Sequence, residues 1–196
     1  MEVYKNILDP EFARKLFKES HEKFLGSDFG WSTNYNWQPN LVKSSHPVLM
    51  RPYDNETTDK ILDALIAKGA ITHKNFAVMN YVWTKLSYIT WHNDDNYDQS
   101  LTIYLNDFWD WDWGGLFLYK EDNTNHVKGI IPEFNSAVVN VKNYSHCVTP
   151  VHLDCQMPRI TVQIFSKNGK QVKTNPPPPN TWAAKITSSN GQIDSD

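Results

Sequence analysis

Two histidines, an aspartate and an arginine are the residues of this chain whose types and spacing could support oxidative metal chemistry. The segment Tyr88-Ile89-Thr90-Trp91-His92-Asn93-Asp94 reads as a β-strand, and strand side chains alternate between faces with a period of two. Regular alternation puts Tyr88, Thr90, His92 and Asp94 on one face, so that an imidazole and a carboxylate point into the same space. The His-x-Asp spacing alone carries little weight in a chain with 7 His and 22 Asp plus Glu. His146 changes that weighting, because two His and one carboxylate at the mouth of a β-sandwich form a facial triad that holds Fe(II) with open coordination positions.

Arg159 opens a second informative run, Arg159-Ile160-Thr161-Val162-Gln163-Ile164-Phe165, and the chain has only two other arginines, Arg14 and Arg51. On a strand, Arg159, Thr161, Gln163 and Phe165 share a face. A guanidinium there offers a planar, permanently charged fork for a carboxylate.

These side chains need a scaffold, and the sequence supplies one. Asp9-Pro10-Glu11 reads as an N-cap, a first-turn proline and an acidic first turn, followed by Phe12, Leu16, Phe17, Phe24 and Leu25 at helical spacing. A second helix is expected over 57–68, with Ile61, Leu62, Leu65 and Ile66 as its apolar stripe and Gly69 as its stop. Residues 26–54 read as irregular. From Phe76 onward the texture changes to eight short β-prone runs, at 76–83, 86–92, 100–106, 115–119, 126–131, 137–141, 147–152 and 159–166. Eight strands without intervening helices predict a mainly β fold with flanking N-terminal helices, a double-stranded β-helix or jelly roll. The expected organisation is one domain over 1–167, with helical support at 1–70 and the jelly-roll core at 76–167. Residues 168–196 carry four consecutive prolines at 176–179 and read as an extended tail.

Several motifs in the right order then resemble one family, the iron(II)- and 2-oxoglutarate-dependent oxygenases, in their prolyl-4-hydroxylase-like branch. His92-Asn93-Asp94 is similar to the family's proximal metal pair, and Leu101-Thr102-Ile103-Tyr104-Leu105-Asn106 to its Tyr-Leu-Asn strand ahead of a Trp-containing loop. Gly114-Gly115-Leu116 resembles its Gly-Gly-x-Leu step, and His146-Cys147-Val148-Thr149-Pro150-Val151 its distal His-x-Val-x-Pro-Val segment. Tyr81 or Tyr88 takes the place of the tyrosine that precedes the metal pair. The resemblance spans residues 76–167. It implies His92, Asp94 and His146 as Fe(II) ligands, and Arg159 with Tyr104 as the anchor for the far carboxylate of 2-oxoglutarate. It also implies O2 as oxidant, ascorbate as a stimulant, release of succinate and CO2, and hydroxylation of a peptidyl proline or a similar amino-acid-like substrate. The gap from His146 to Arg159 is longer than usual in this branch, so residues 152–157 are expected to loop out.

Tyr88, Thr90, Gln163 and Trp109 are candidate pocket residues, and the run Phe108-Trp109-Asp110-Trp111-Asp112-Trp113 is expected either as an aromatic and acidic rim over the mouth or as packing beside the sheet. Two other readings stand beside the leading one. The same cofactors could act on a free amino acid or small metabolite, or the chain could be a non-catalytic metal- or sugar-binding jelly roll. His126 and His152 read as surface or turn histidines. A net charge of −3 lacks the single-sign field of nucleic-acid binders, and no apolar run reaches the roughly 20 residues of a membrane span. A cytoplasmic protein with reduced Cys147 and Cys155 is expected, acting on a peptide or small molecule without nucleic-acid or membrane partners. The oligomeric state is left open.

Overall fold

Both helices begin where a carboxylate can cap them. In the computed structural model, which describes residues 1–26, 32–33, 46, 48–94, 97–121 and 126–166, helix α1 (Pro10–Leu25) starts with the Asp9 side chain accepting from the Phe12 N–H at 2.9 Å. Helix α2 (Asn55–Ala67) starts earlier than its apolar stripe suggests, because Asp54 accepts from the Thr57 N–H at 2.7 Å and extends the helix by a polar first turn. At its end Gly69 takes a φ of +72°, and the Gly69 and Ala70 N–H groups donate to Ile66 and Leu65, a Schellman stop.

Eleven strands are described, eight of them in the runs read from the sequence: β4 (Phe76–Trp83), β5 (Ile89–His92), β6 (Ser100–Tyr104), β7 (Phe117–Lys120), β8 (Val127–Ile130), β9 (Ser136–Asn140), β10 (His146–Val148) and β11 (Arg159–Ser166). The other three are β1 (Glu2–Lys5), β2 (Ser32–Thr33) and β3 (Val48–Pro52). The last two fall inside the 26–54 stretch expected to be irregular. β3 is a strand because β4 offers a free edge to which it pairs from Val48 to Pro52, and Pro52 ends it for lack of an N–H. The tail expected over 168–196 lies outside the described residues.

The strands form two sheets, one of seven in the order β1-β9-β6-β11-β4-β3-β2 and one of four in the order β5-β10-β7-β8. This is the jelly roll expected from the strand pattern. Side-chain alternation on the large sheet sorts two cores. Val78, Val82, Leu101, Ile103, Ile160, Val162 and Ile164 pack outward against Ala13, Leu16, Ile61, Leu62 and Leu65 of the helices. Tyr81, Trp83, Tyr104, Val138 and Phe165 face inward to meet Ile89, Phe117, Tyr119 and Val148 of the small sheet. The helices therefore stiffen the large sheet from behind and leave its inner face for the site.

Two details fix the far end of the barrel. Residues 152–157 loop out as expected, with 152–154 and 156 exposed, while Cys155 turns into the inter-sheet core and its thiol donates to the Met157 carbonyl at 2.8 Å. This tether returns the chain to the large sheet with Arg159 opposite Trp83. At Gly114 the backbone has a φ of +64°, and an added Cβ would meet the Pro150 carbonyl oxygen at 2.1 Å. Left-handed backbone alone costs a residue with a side chain about 1–2 kcal/mol. Gly114→Ala is therefore expected to lower stability by more than about 2 kcal/mol, read as a lower urea midpoint at unchanged slope; an unchanged midpoint would contradict the packing described.

Candidate active site

The residues with metal-ligand chemistry converge where β5 meets β10. His146 stands opposite His92, and Val148 opposite Ile89, so three steps along β5 match two along β10. The extra residue is a β-bulge. It interrupts the alternation expected for 88–94: Ile89 and His92 both face inward, while Trp91 is exposed. Tyr88 and Thr90 are consequently half-buried residues off the shared inner face, a correction to the regular-strand reading. Tyr81 is buried on the inner face of β4.

Asp94 lies just past the end of β5 and completes the cluster. Its carboxylate is 3.8 Å from His92 Nε2 and 3.6 Å from His146 Nε2, and one ligand atom from each residue falls within 4.8 Å of the others. Among the described residues this is the one group of three or more His, Cys, Asp or Glu so arranged. The imidazoles are oriented from behind. His92 Nδ1 lies 2.8 Å from the Thr90 carbonyl and His146 Nδ1 lies 2.9 Å from the Tyr144 carbonyl. A carbonyl can only accept, so each ring donates through its Nδ1–H, which leaves each Nε2 turned toward Asp94. Burial, followed by the repulsion of His146, holds the His92 pKa below its usual value, which favours the neutral ligand form. Phe117 stacks on His146 with ring centroids 5.0 Å apart, and Ser100 Oγ donates to Asp94 Oδ2 at 2.5 Å. His126 and His152 are exposed and stand outside the cluster. Cys147 turns away from it opposite Leu118, and burial pushes its thiol up to about 11.

The second half of the site is at the other end of β6 and β11. β6 starts at Ser100 beside Asp94 and ends at Tyr104, whose ring lies 5.1 Å from the Arg159 guanidinium. Trp83 covers the guanidinium from 4.9 Å and donates its own Nε1–H to Thr161. Arg159 is 1% exposed. Its Nε, Nη1 and Nη2 have no hydrogen-bond partner, and neither does the Tyr104 hydroxyl. Burial lowers the Arg159 pKa while the nearby Tyr104 opposes that shift. A fully buried cation without a partner is costly, and this chemistry fits a carboxylate-bearing ligand whose anionic end reaches the guanidinium. Between the two ends, on the same face of β11, Gln163 presents a buried and unpartnered Oε1.

Of the two readings of the Trp-containing run, Trp109 follows the packing one: it is buried in the inter-sheet core. Because β6 runs from the triad toward the arginine, the loop after it emerges at the arginine end. There Trp109 donates to the Gly114 carbonyl at 2.8 Å and lines the space behind Gly115, where an added Cβ would also meet Arg159 Cδ at 2.9 Å. Phe108 and Trp111 are exposed at that end. The His92 and Asp94 side chains keep 13% and 15% exposure, so the triad end is the more open one. Sequence reasoning missed Trp83, Ser100, Asn140, Asn143 and Phe117, none of which has a local motif; only the strand register reveals them.

Residues 76–167 match a family model described as the 2OG-Fe(II) oxygenase superfamily. No curated protein matches the chain. Among solved structures, a prolyl-4-hydroxylase from Pseudomonas putida is similar with a TM-score of 0.67 at 14% identity, covering 85% of this chain and 92% of that one. A prolyl hydroxylase from Trichoplax adhaerens, in complex with a hypoxia inducible factor oxygen degradation domain peptide fragment, gives 0.64 at 16% identity over 84% and 81%. A viral collagen prolyl hydroxylase from Paramecium Bursaria Chlorella virus-1, as its 2OG complex, gives 0.54 at 17% identity over 85% and 96%. At these identities the likeness is one of fold. No helix among the described residues is long and apolar enough to cross a membrane.

Proposed function

We propose that this chain, whose residues 76–167 match the 2OG-Fe(II) oxygenase superfamily model, hydroxylates a peptidyl proline or a similar amino-acid-like substrate, with His92, Asp94 and His146 as its iron ligands and Arg159 and Tyr104 as its 2-oxoglutarate anchor. The observation that carries the co-substrate assignment is the unpartnered, fully buried guanidinium at the closed end of the same inter-sheet space as the triad. The peptidyl part of the reading draws on the fold shared with prolyl hydroxylases, one of them in complex with a peptide fragment.

Bound Fe(II), with 2-oxoglutarate and O2, supplies the oxidising power, and the co-substrate leaves as succinate and CO2. The chain's own residues do the positioning. The Thr90 and Tyr144 carbonyls accept from Nδ1–H of His92 and His146 and so turn each Nε2 toward the metal position. Ser100 holds one carboxylate oxygen of Asp94 by donating to it. Arg159 would meet the far carboxylate through its planar fork, and the Tyr104 hydroxyl would donate to the same group. Trp83 and Tyr104 flank the guanidinium and exclude water from that contact, which strengthens it. Gln163 Oε1 accepts only, and a fully ionised 2-oxoglutarate has no donor to offer. That atom is therefore available to an N–H or O–H of the prime substrate.

The test is succinate formation by the iron-loaded chain with 2-oxoglutarate, comparing proline-containing peptides with free amino acids. Stimulation by peptides, with a 16 Da gain on proline, is the expected result. Stimulation by free amino acids alone would overturn the peptidyl assignment and keep the oxygenase.

A further inference from the structure

One turn, between β9 and β10, holds both ligand-bearing segments. Asn143 adopts a φ of +48°, a left-handed backbone that Asn tolerates better than most residues. From there its Oδ1 accepts the Asp94 backbone N–H at 2.7 Å. In the same turn the Asn140 side chain grips Tyr144 at both backbone groups, accepting from its N–H at 2.9 Å and donating to its carbonyl at 3.2 Å. That carbonyl is the acceptor that orients His146. Asp94 lies past the end of β5 and outside its ladder; its main chain is held at the carbonyl by the Tyr97 N–H at 2.8 Å, within its own loop, and at the N–H by Asn143, which ties it to the His146 turn.

We propose that Asn143 is a positioning residue for the metal centre: by holding the Asp94 N–H, it sets the Asp94 carboxylate against His146 before any metal arrives. This rests on the triad being the metal site. The gain is preorganisation. Ser100 restrains one carboxylate oxygen, but a side-chain bond cannot fix the main chain from which that carboxylate swings. With Asn143 in place, the turn that orients His146 also carries Asp94, so the two ligands keep their spacing together.

The experiment uses the full-length, metal-free chain and Co(II) alone as probe, followed by calorimetry and by visible absorption, which reports ligand geometry. Asn143→Gly keeps the left-handed backbone without strain and removes the acceptor, whereas Asn143→Asp keeps both that backbone and the acceptor oxygen. The expected result is Co(II) affinity about 10- to 100-fold weaker in Asn143→Gly, the size usual for an outer-shell partner, with an altered visible spectrum. Asn143→Asp should bind at least as tightly as wild type. Equal Co(II) affinity in Asn143→Gly and wild type would overturn the proposal. Failure of wild type itself to bind Co(II) would instead overturn the triad reading. A measurement free of any variant guards against misfolding: the Asp94 amide should exchange slowly with solvent in the metal-free wild type, and exchange as rapid as that of an open loop amide would also overturn the proposal.

Discussion

Arg159→Met weakens 2-oxoglutarate binding by more than about 100-fold and leaves the metal-free protein as stable as wild type or more stable. The two halves of this result come from one fact, a guanidinium at 1% exposure whose three nitrogens have no hydrogen-bond partner. An unpaired buried ion costs several kcal/mol even after relaxation. Its contacts with Trp83 and Tyr104 at 4.9 and 5.1 Å return about 0.5–2 kcal/mol each as cation–π attraction. Methionine keeps the unbranched stem, packs well against aromatic rings and removes the charge. Once a carboxylate is seated the balance reverses, since deleting one partner of a buried ion pair costs about 3–5 kcal/mol. The affinity for 2-oxoglutarate should therefore fall by more than about 100-fold. Thermal unfolding checks both halves: 2-oxoglutarate raises the midpoint of wild type and not of the variant, while the ligand-free midpoints match or favour Arg159→Met. A strongly destabilised variant that still responds to 2-oxoglutarate would contradict the account.

His92→Ala reduces peptide-stimulated succinate formation to background and weakens metal binding, with little loss of metal-free stability. His92 keeps some solvent exposure and its inner-face neighbours are the polar His146 and Asp94 rather than the apolar core. Truncation consequently opens no sealed cavity of the kind that makes core substitutions expensive. What it removes is one of the three proposed ligands. The variant complements Arg159→Met, which keeps the metal site and loses the co-substrate anchor. Succinate assays at saturating iron and 2-oxoglutarate, beside urea unfolding of the metal-free proteins, separate the two; undiminished turnover in His92→Ala would remove the triad from the mechanism.

The strand pattern from Phe76 onward was legible where side chains alternate between the two faces of the sheet with a period of two, as in β4 and β11. It placed β4 and β11 at their observed bounds, and with β11 came the shared face of Arg159, Thr161 and Gln163. Alternation failed at β5, where a bulge inserts one residue and sends Tyr88 and Thr90 off the face they would otherwise share with His92. Nothing in Ile89-Thr90-Trp91-His92 marks that insertion; it is imposed by pairing with β10. β1 and β3 were illegible for a related reason, since each is a short strand that exists because β9 or β4 has an edge to pair. The direction of β6 decides the place of Trp109. A loop's composition, aromatic and acidic here, says nothing about which end of a barrel it emerges from. Asn140 and Asn143 carry no motif either, because their role is to hold backbone groups brought near only by the fold.

The central claim, that the triad and Arg159 serve one bound keto acid, is tested most directly by anaerobic Fe(II) titration with and without 2-oxoglutarate. The account predicts a weak visible metal-to-ligand charge-transfer band when both are present in wild type, and loss or weakening of that band at the same 2-oxoglutarate concentration in Arg159→Met, which still binds the metal. Fe(II) binding with no band at saturating 2-oxoglutarate in wild type would contradict it and leave a metal-binding jelly roll without the co-substrate.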